Sequence, residues 1–352
     1  MTLPVVEEIL RAYDLPHELR LVEPLAGGHI HRSYKIMKGV RYFFLQEINR
    51  EVFPDVAAMM GNIRRVTDFL QAKYLERFDV ETLNLYRTKT GTDFHAHSDG
   101  SCWRLYDFKS HLRTYEEPPI DPLITRAARA FGEFAADLAD FPFEQLAVTL
   151  PRFHDVTFRY EQFADALARN AARRADDCRA EIEYVEAFWE DFTTIDRLIA
   201  AGELPVRVVH NDAKLSNVMI QPAGRRRCVV DLDTVMPGCL LHDYGDGIRS
   251  ILGPEDQLPD TSNEAEMQRI TARINAFSKG YLEATHGILT ATERHHLPTA
   301  IPLLPFLMGV RFLTDFLNGD VYYRTEYPTH NLARARAQLG WAHHFSNFMN
   351  AS

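Results

Sequence analysis

The stretch whose reading decides the fold is Val208-Val209-His210-Asn211-Asp212-Ala213-Lys214-Leu215-Ser216-Asn217-Val218, of the form H-x-D-x-K-x-x-N. Strand-like runs bracket it, Val206 to His210 before and Val218 to Ile220 after. Fourteen residues past Asn217 stands Asp231, in Val229-Val230-Asp231-Leu232-Asp233, at the end of a further strand reached through the turn Pro222-Ala223-Gly224. Phosphoryl transfer needs a carboxylate to orient the attacking hydroxyl, an amide oxygen and a carboxylate to hold Mg²⁺, and a cation near the transferring group. A loop between two short strands can turn Asp212, Lys214 and Asn217 toward one point, while the hairpin delivers Asp231 beside Asn217. Singly, Asp and Asn are ordinary turn residues that bond to their own backbone. Their order and spacing, set within β runs, give the pattern a chemical meaning.

Upstream, the first hundred or so residues read as β-rich. After a short helix (Val5 to Tyr13) come strands at Leu19 to Leu25, Ser33 to Met37 and Val40 to Gln46, with Gly27-Gly28 and Lys38-Gly39 as turns. Phe53-Pro54-Asp55 opens a helix running to about Ala72, and strands follow at Asn84 to Thr88, Thr92 to His97 and Ser101 to Phe108. From about residue 120 apolar residues recur at three and four, as in Ile124 to Asp140. Glu161 to Ala201, Glu264 to Thr285 and Pro302 to Leu317 read as further helices. The chain therefore reads as α+β. An N-terminal lobe (1–108) holds an antiparallel β-sheet with a helix; a larger, mostly helical C-terminal lobe (109–352) carries the motif, and a cleft between lobes is a favoured ligand site.

Of 352 residues, 39 are Lys or Arg and 49 Asp or Glu, a net charge of −10. That argues against a nucleic-acid binder, which would show a basic stripe; Arg225-Arg226-Arg227 reads as a solvated turn. Cys102, Cys178, Cys228 and Cys239 have no C-x-x-C spacing, so no zinc knuckle or disulfide framework is expected. The N-terminus has no secretory pattern, and the most apolar run, Ala300 to Val310, carries Pro302 and Pro305 and is too short to span a bilayer. The expected setting is a reducing cytoplasm. His95-x-His97 shares a strand face without a third ligand in view. In His242-Asp243-Tyr244-Gly245-Asp246 a carboxylate would hold the motif loop through His210 or backbone N–H groups.

These segments resemble the aminoglycoside phosphotransferase and choline kinase superfamily, and within it the N-acetylhexosamine 1-kinases. The resemblance rests on Gly28-His29-Ile30, Arg41-Tyr42 through Gln46, Phe53-Pro54-Asp55, Trp103-Arg104, Phe153-His154-Asp155 and the Asp212 motif. It continues through Asp231-Leu232-Asp233-Thr234, Gly245-Asp246, Arg311-Phe312-Leu313, Gly319-Asp320-x-Tyr322 and Tyr327-Pro328-x-His330-Asn331-Leu332. It implies a two-lobed protein-kinase-like fold and ATP- and Mg²⁺-dependent phosphorylation of the anomeric hydroxyl of N-acetylglucosamine or N-acetylgalactosamine. Asp212 would be the base with Lys214 beside it. Asn217, Asp231 and, as a second or outer ligand, Asp233 would hold Mg²⁺. Gly27 and Gly28 would cover the phosphates, the hinge at Asp107 and Phe108 would meet adenine, and His29, Arg311 and Tyr322 would contact the sugar. The wider superfamily places a Lys on the strand after the Gly loop; here Gln46 stands there, neutral and able only to hydrogen-bond. Phosphate neutralisation then falls to Mg²⁺, Lys214 and an Arg. The rivals are the same chemistry on another sugar, an aminoglycoside, choline or a hydroxy-amino acid, or a pseudokinase that binds without turnover. The partner expected is a small sugar, with no nucleic acid and no membrane, and the chain a monomer or homodimer.

Overall fold

The computed structural model describes residues 3–15, 18–25, 30–117 and 120–350. The chain forms two compact units: residues 1–114, 140–150 and 218–236 make the first, and 115–139, 151–217 and 237–352 the second. The first unit thus also takes in the hairpin that follows the Asp212 motif.

In the first unit α1 (Leu3–Leu10) precedes β1 (Leu19–Pro24), β2 (Arg32–Lys38), β3 (Arg41–Ile48), α2 (Val56–Lys73), β4 (Val80–Glu81), β5 (His95–Ala96) and β6 (Cys102–Asp107). The main sheet runs β1-β2-β3-β6-β5 with antiparallel pairs throughout. Lys38 pairs with Arg41 across the turn, where Gly39 takes a left-handed φ of 62°. Alternation sends Tyr34, Ile36, Phe43, Leu45, Trp103 and Leu105 to one face, where Val6, Ile9 and Leu10 of α1 cover them. The opposite face carries Ser33, Gln46 and Arg104 in register. Asn84 to Thr88, read as a strand, joins its neighbours only through isolated bridges at Leu85 and Thr88. Asp55 caps α2 by accepting from Ala58 N–H. The strands Val218–Ile220 and Arg227–Val229 form a separate three-stranded sheet with β4.

The second unit is helical: α3 (Asp121–Asp137), α4 (Val156–Arg169), α5 (Arg179–Phe188), α6 (Thr194–Ala200), α7 (Leu240–Arg249), α8 (Glu264–Thr285), α9 (Ala291–Asn318) and α10 (His330–Asn350), with β7 (Arg207–Val209) leading into the motif. The long helical region expected over 161–201 is made of three helices, α4 to α6. Asn170 ends α4 in the left-handed region and 3-10 turns break the rest. α9 begins eleven residues before the expected start, because Thr290 and Glu293 form a reciprocal capping box. Glu293 is fully buried and its carboxylate takes Arg207 at 3.0 Å on each oxygen. α9 is long and apolar enough to cross a membrane by composition alone, but it is a core helix, packed on α4, α7 and α10.

α7 carries the residues that back the motif, and it lies against α9 because Gly245 has no side chain. A Cβ there would stand 2.4 Å from the Ala300 carbonyl oxygen and 2.7 Å from Leu304 Cδ2. Gly245→Ala is therefore expected to cost about 1–3 kcal/mol, the usual range for overpacking, and to lower turnover by displacing α7. Thermal melts check it, and an unchanged Tm would contradict the close packing.

Candidate active site

The loop after β7 is built around a buried carboxylate on α7. Asp243 Oδ2 accepts the His210 N–H at 2.8 Å and Oδ1 the Asn211 N–H at 2.7 Å. These two bonds hold Asn211 at a left-handed φ of 63°, a conformation that Asn tolerates better than most side chains. His154 donates from Nε2 to the Asn211 carbonyl at 3.0 Å, and Ser250 Oγ, just past α7, accepts the Leu215 N–H at 3.0 Å. His210 is wedged edge-on between Phe131 and Phe134. With its backbone bonded on both sides, the loop presents Asp212 in one place.

Asn217 donates from Nδ2 to the Asp212 carbonyl at 2.9 Å and to Asp212 Oδ2 at 2.8 Å. Both partners are acceptors, so the amide nitrogen must face them and Oδ1 points the other way, the atom a hard cation takes. Lys214 Nζ lies 3.0 Å from Asp212 Oδ2. Burial works against ionisation of Asp212, but Lys214, then His210 and Arg249, outweigh it and hold the carboxyl below its ordinary range. Arg249 is buried, with Nε on Asp246 at 2.7 Å and NH1 on Glu255 at 3.0 Å. Burial pushes Asp243 up to about 6, against the opposing pull of His210 and its two N–H donors.

Beside the loop in the same unit, Arg311 and Arg159 flank the Phe153 ring, at 5.1 and 5.7 Å from its centroid, and Arg311 also covers Tyr323 at 5.6 Å. Arg311 lies within electrostatic reach of Asp212 and Tyr322. Arg159 is bound to the Phe153 carbonyl and Gln162, and burial, then Arg311, brings it down to about 10. Among the described residues no carboxylate forms an ion pair with either guanidinium. Asp315, one turn from Arg311, is taken instead by the N–H groups of Val321, Tyr322 and Tyr323 and by Asn331. That places half-exposed Tyr322 at the rim. The Tyr323 hydroxyl oxygen and His242 Nε2 are buried without hydrogen-bond partners. Burial and, for His154, also His242 and Arg311 keep both imidazoles neutral, His242 at about 4.

In the first unit Gln46 Oε1 accepts from Arg104 Nε at 2.8 Å and NH2 at 2.5 Å. Arg104 grips Asp233 with NH1 on Oδ1 at 2.5 Å and NH2 on Oδ2 at 2.8 Å, and His31 Nε2 meets Oδ2 at 2.5 Å. Asp231 is exposed, at φ 60° and ψ 58°. Asp107 is bound by Arg41, Tyr86 and Asn84, and the Phe108 N–H donates to the Tyr42 carbonyl. Gly27, Gly28 and His29 lie outside the described residues. Among the described residues no three His, Cys, Asp or Glu cluster as a metal site. Sequence reasoning missed Arg104 as a bridging group, and with it His31, Arg159, Arg249 and Ser250, which hold or flank the motifs from distant segments. Only the short segment match at Trp103-Arg104 pointed that way.

An α+β chain with an Asp212-to-Asn217 loop locked onto the next helix is built as a kinase-like phosphotransferase. The sequence profile of the phosphotransferase enzyme family (APH) matches residues 21–277, and the chain belongs to that family. Solved structures share the fold. An amicoumacin kinase in complex with AMP-PNP and Ca²⁺ has a TM-score of 0.62 at 13% identity, covering 96% of this chain and 92% of that one. A choline kinase from Cryptosporidium parvum has 0.63 at 10%, covering 99% and 98%. A microcompartment-associated aminopropanol kinase has 0.57 at 13%, covering 99% and 98%.

Asp243→Ala leaves two buried N–H groups without acceptors, at about 1–3 kcal/mol each, so urea unfolding should show a loss of about 2–6 kcal/mol. Because the folded carboxyl binds its proton more tightly than the unfolded one, its contribution to stability falls as pH rises from about 4 to about 6. Asp243→Asn removes that dependence. The variant should therefore compare better with the wild type at pH 7 than at pH 4.5, and the reverse order would contradict the assignment.

Proposed function

We propose that this phosphotransferase is an ATP- and Mg²⁺-dependent sugar kinase acting on the anomeric hydroxyl of an N-acetylhexosamine. The observation that carries the reading is the wall beside Asp212. Arg311, Arg159 and Tyr323 offer directional donors, and among the described residues no carboxylate is paired with the two guanidinium groups. A polyhydroxylated, neutral acceptor with a carbonyl oxygen suits such a wall. An ammonium acceptor wants carboxylates or open aromatic faces, and the Phe153 and Tyr323 rings are already covered by Arg311.

Asp212 is ionised throughout the neutral range, so it can accept a hydrogen bond from the acceptor hydroxyl, orient it and take its proton as the phosphoryl group moves. The low basicity of such a carboxylate matches a reaction in which positioning counts for more than deprotonation. Lys214 beside it neutralises charge on the incoming oxygen. Asn217, through Oδ1, and Asp231 would hold Mg²⁺, which would offset charge on the phosphate oxygens of ATP. Tyr322 at the rim contacts the sugar, as His29 would, and the Asp107–Phe108 backbone meets adenine.

Asp212→Asn should lower kcat by about 10²–10⁴-fold with little change in Tm; turnover near wild type would remove Asp212 from the mechanism. A panel of acceptors with MgATP tests the substrate. N-acetylglucosamine and N-acetylgalactosamine should have kcat/KM at least tenfold above choline, aminopropanol and an aminoglycoside, and the opposite ranking would overturn the sugar assignment.

A further inference from the structure

Ser33, Gln46 and Arg104 form one row across the sheet face opposite α1, each directly across from the next. Gln46 donates to Ser33 Oγ at 3.0 Å and accepts twice from Arg104. Arg104, at 2% exposure, has five N–H groups, and all five are used: two on Gln46, two on Asp233 and one toward Met60 Sδ at 3.8 Å. It has none left for a phosphate. The cation that faces the neutral strand position is thus spent on a carboxylate.

That carboxylate is equally committed. Asp233 is buried, and its two oxygens take two donors from Arg104 and one from His31. His31 Nδ1 accepts the Asn49 N–H at 2.9 Å, so Nε2 carries the proton given to Asp233. Two residues on, the Val235 carbonyl accepts from Asn62 Nδ2 at 3.0 Å, and Asn62 is itself fixed by Ala147 on both its amide atoms. The turn is therefore pinned at 233 and 235. Asp231, just before them, is exposed and held left-handed, which costs a residue with a side chain about 1 kcal/mol or more. A strained, exposed carboxylate next to a rigid anchor is a preorganised one.

We propose that Arg104 is the positioning residue of the metal site: through Asp233 it fixes the turn that presents Asp231, so Asp233 braces the site and Asp231 is the carboxylate this turn gives to Mg²⁺. This rests on the reading of Asp231 as a metal ligand. Removing Arg104 alone would leave Asp233 charged and buried, at a cost to folding. Arg104→Met/Asp233→Leu removes both charges together and should fold.

The double variant should melt near the wild type and bind metal-free ATP as the wild type does. Mn²⁺ affinity of its nucleotide complex, read by electron paramagnetic resonance, should fall about 10–100-fold, as loss of a ligand's supporting bonds usually brings. Arg104→Lys keeps the charge without the two-pronged grip and should lie between; it also reports if the double variant does not fold. Wild-type Mn²⁺ affinity in whichever variant folds would overturn the role of Arg104. Asp231→Asn separates the two readings. If it leaves Mn²⁺ affinity unchanged, the metal assignment itself fails. If it weakens affinity while the Arg104 variants do not, only the positioning role falls.

Discussion

The pair of hydrogen bonds that the His210 and Asn211 N–H groups donate to the Asp243 carboxylate is the constraint on which the site depends. A loop that must present a carboxylate, an amide and an ammonium group toward one point cannot also satisfy its own backbone by regular pairing. A buried side chain from the next helix does so instead. The arrangement is costly, because Asp243 is buried with no ion-pair partner among the described residues and its carboxyl is pushed up to about 6. The cost is offset by packing, since α7 can approach α9 closely only through Gly245. The loop's position is thus set by helix packing, and Asp212 sits on a scaffold more rigid than a loop would otherwise be.

Guanidinium groups show a division of labour. Arg104, Arg249 and Arg207 are buried or nearly so and bound by carboxylates or amides; Arg104 and Arg207 tie distant segments together, while Arg249 joins Asp246 to Glu255 just past α7. Arg311 and Arg159 sit against aromatic rings with no paired carboxylate among the described residues. Desolvating two like charges side by side is unfavourable unless something polar arrives to use them, and this is why we propose the pair as acceptor-recognition groups. Asp233 is buried and held by Arg104 and His31, whereas Asp231 is exposed on a left-handed backbone.

What the sequence disclosed follows from the range of each interaction. The α8 limits, the Lys38-Gly39 turn and the helix after Asp55 came from local periodicity and turn chemistry. The Asp212, Lys214 and Asn217 set was legible because its members lie within six residues and bond to one another. The Asp243 brace was foreseen as a carboxylate that would hold the loop. The Arg104 bridge was not, since it joins residues 58 and 129 positions apart, and no pattern in one sequence encodes such a pairing. The break of 161–201 into three helices turns on Asn170 adopting a left-handed cap, a choice that tertiary packing makes against a continuous helical pattern.

The most direct measurement of the central claim is a crystal structure with ADP, Mg²⁺, N-acetylglucosamine and a planar metal fluoride standing in for the transferring phosphoryl group. The account predicts the anomeric hydroxyl within hydrogen-bond distance of Asp212, Mg²⁺ held by Asn217 Oδ1 and Asp231, and Asp233 still on Arg104. A complex with Asp212 turned from the acceptor, or with Mg²⁺ on Asp233 and Arg104 released, would contradict it.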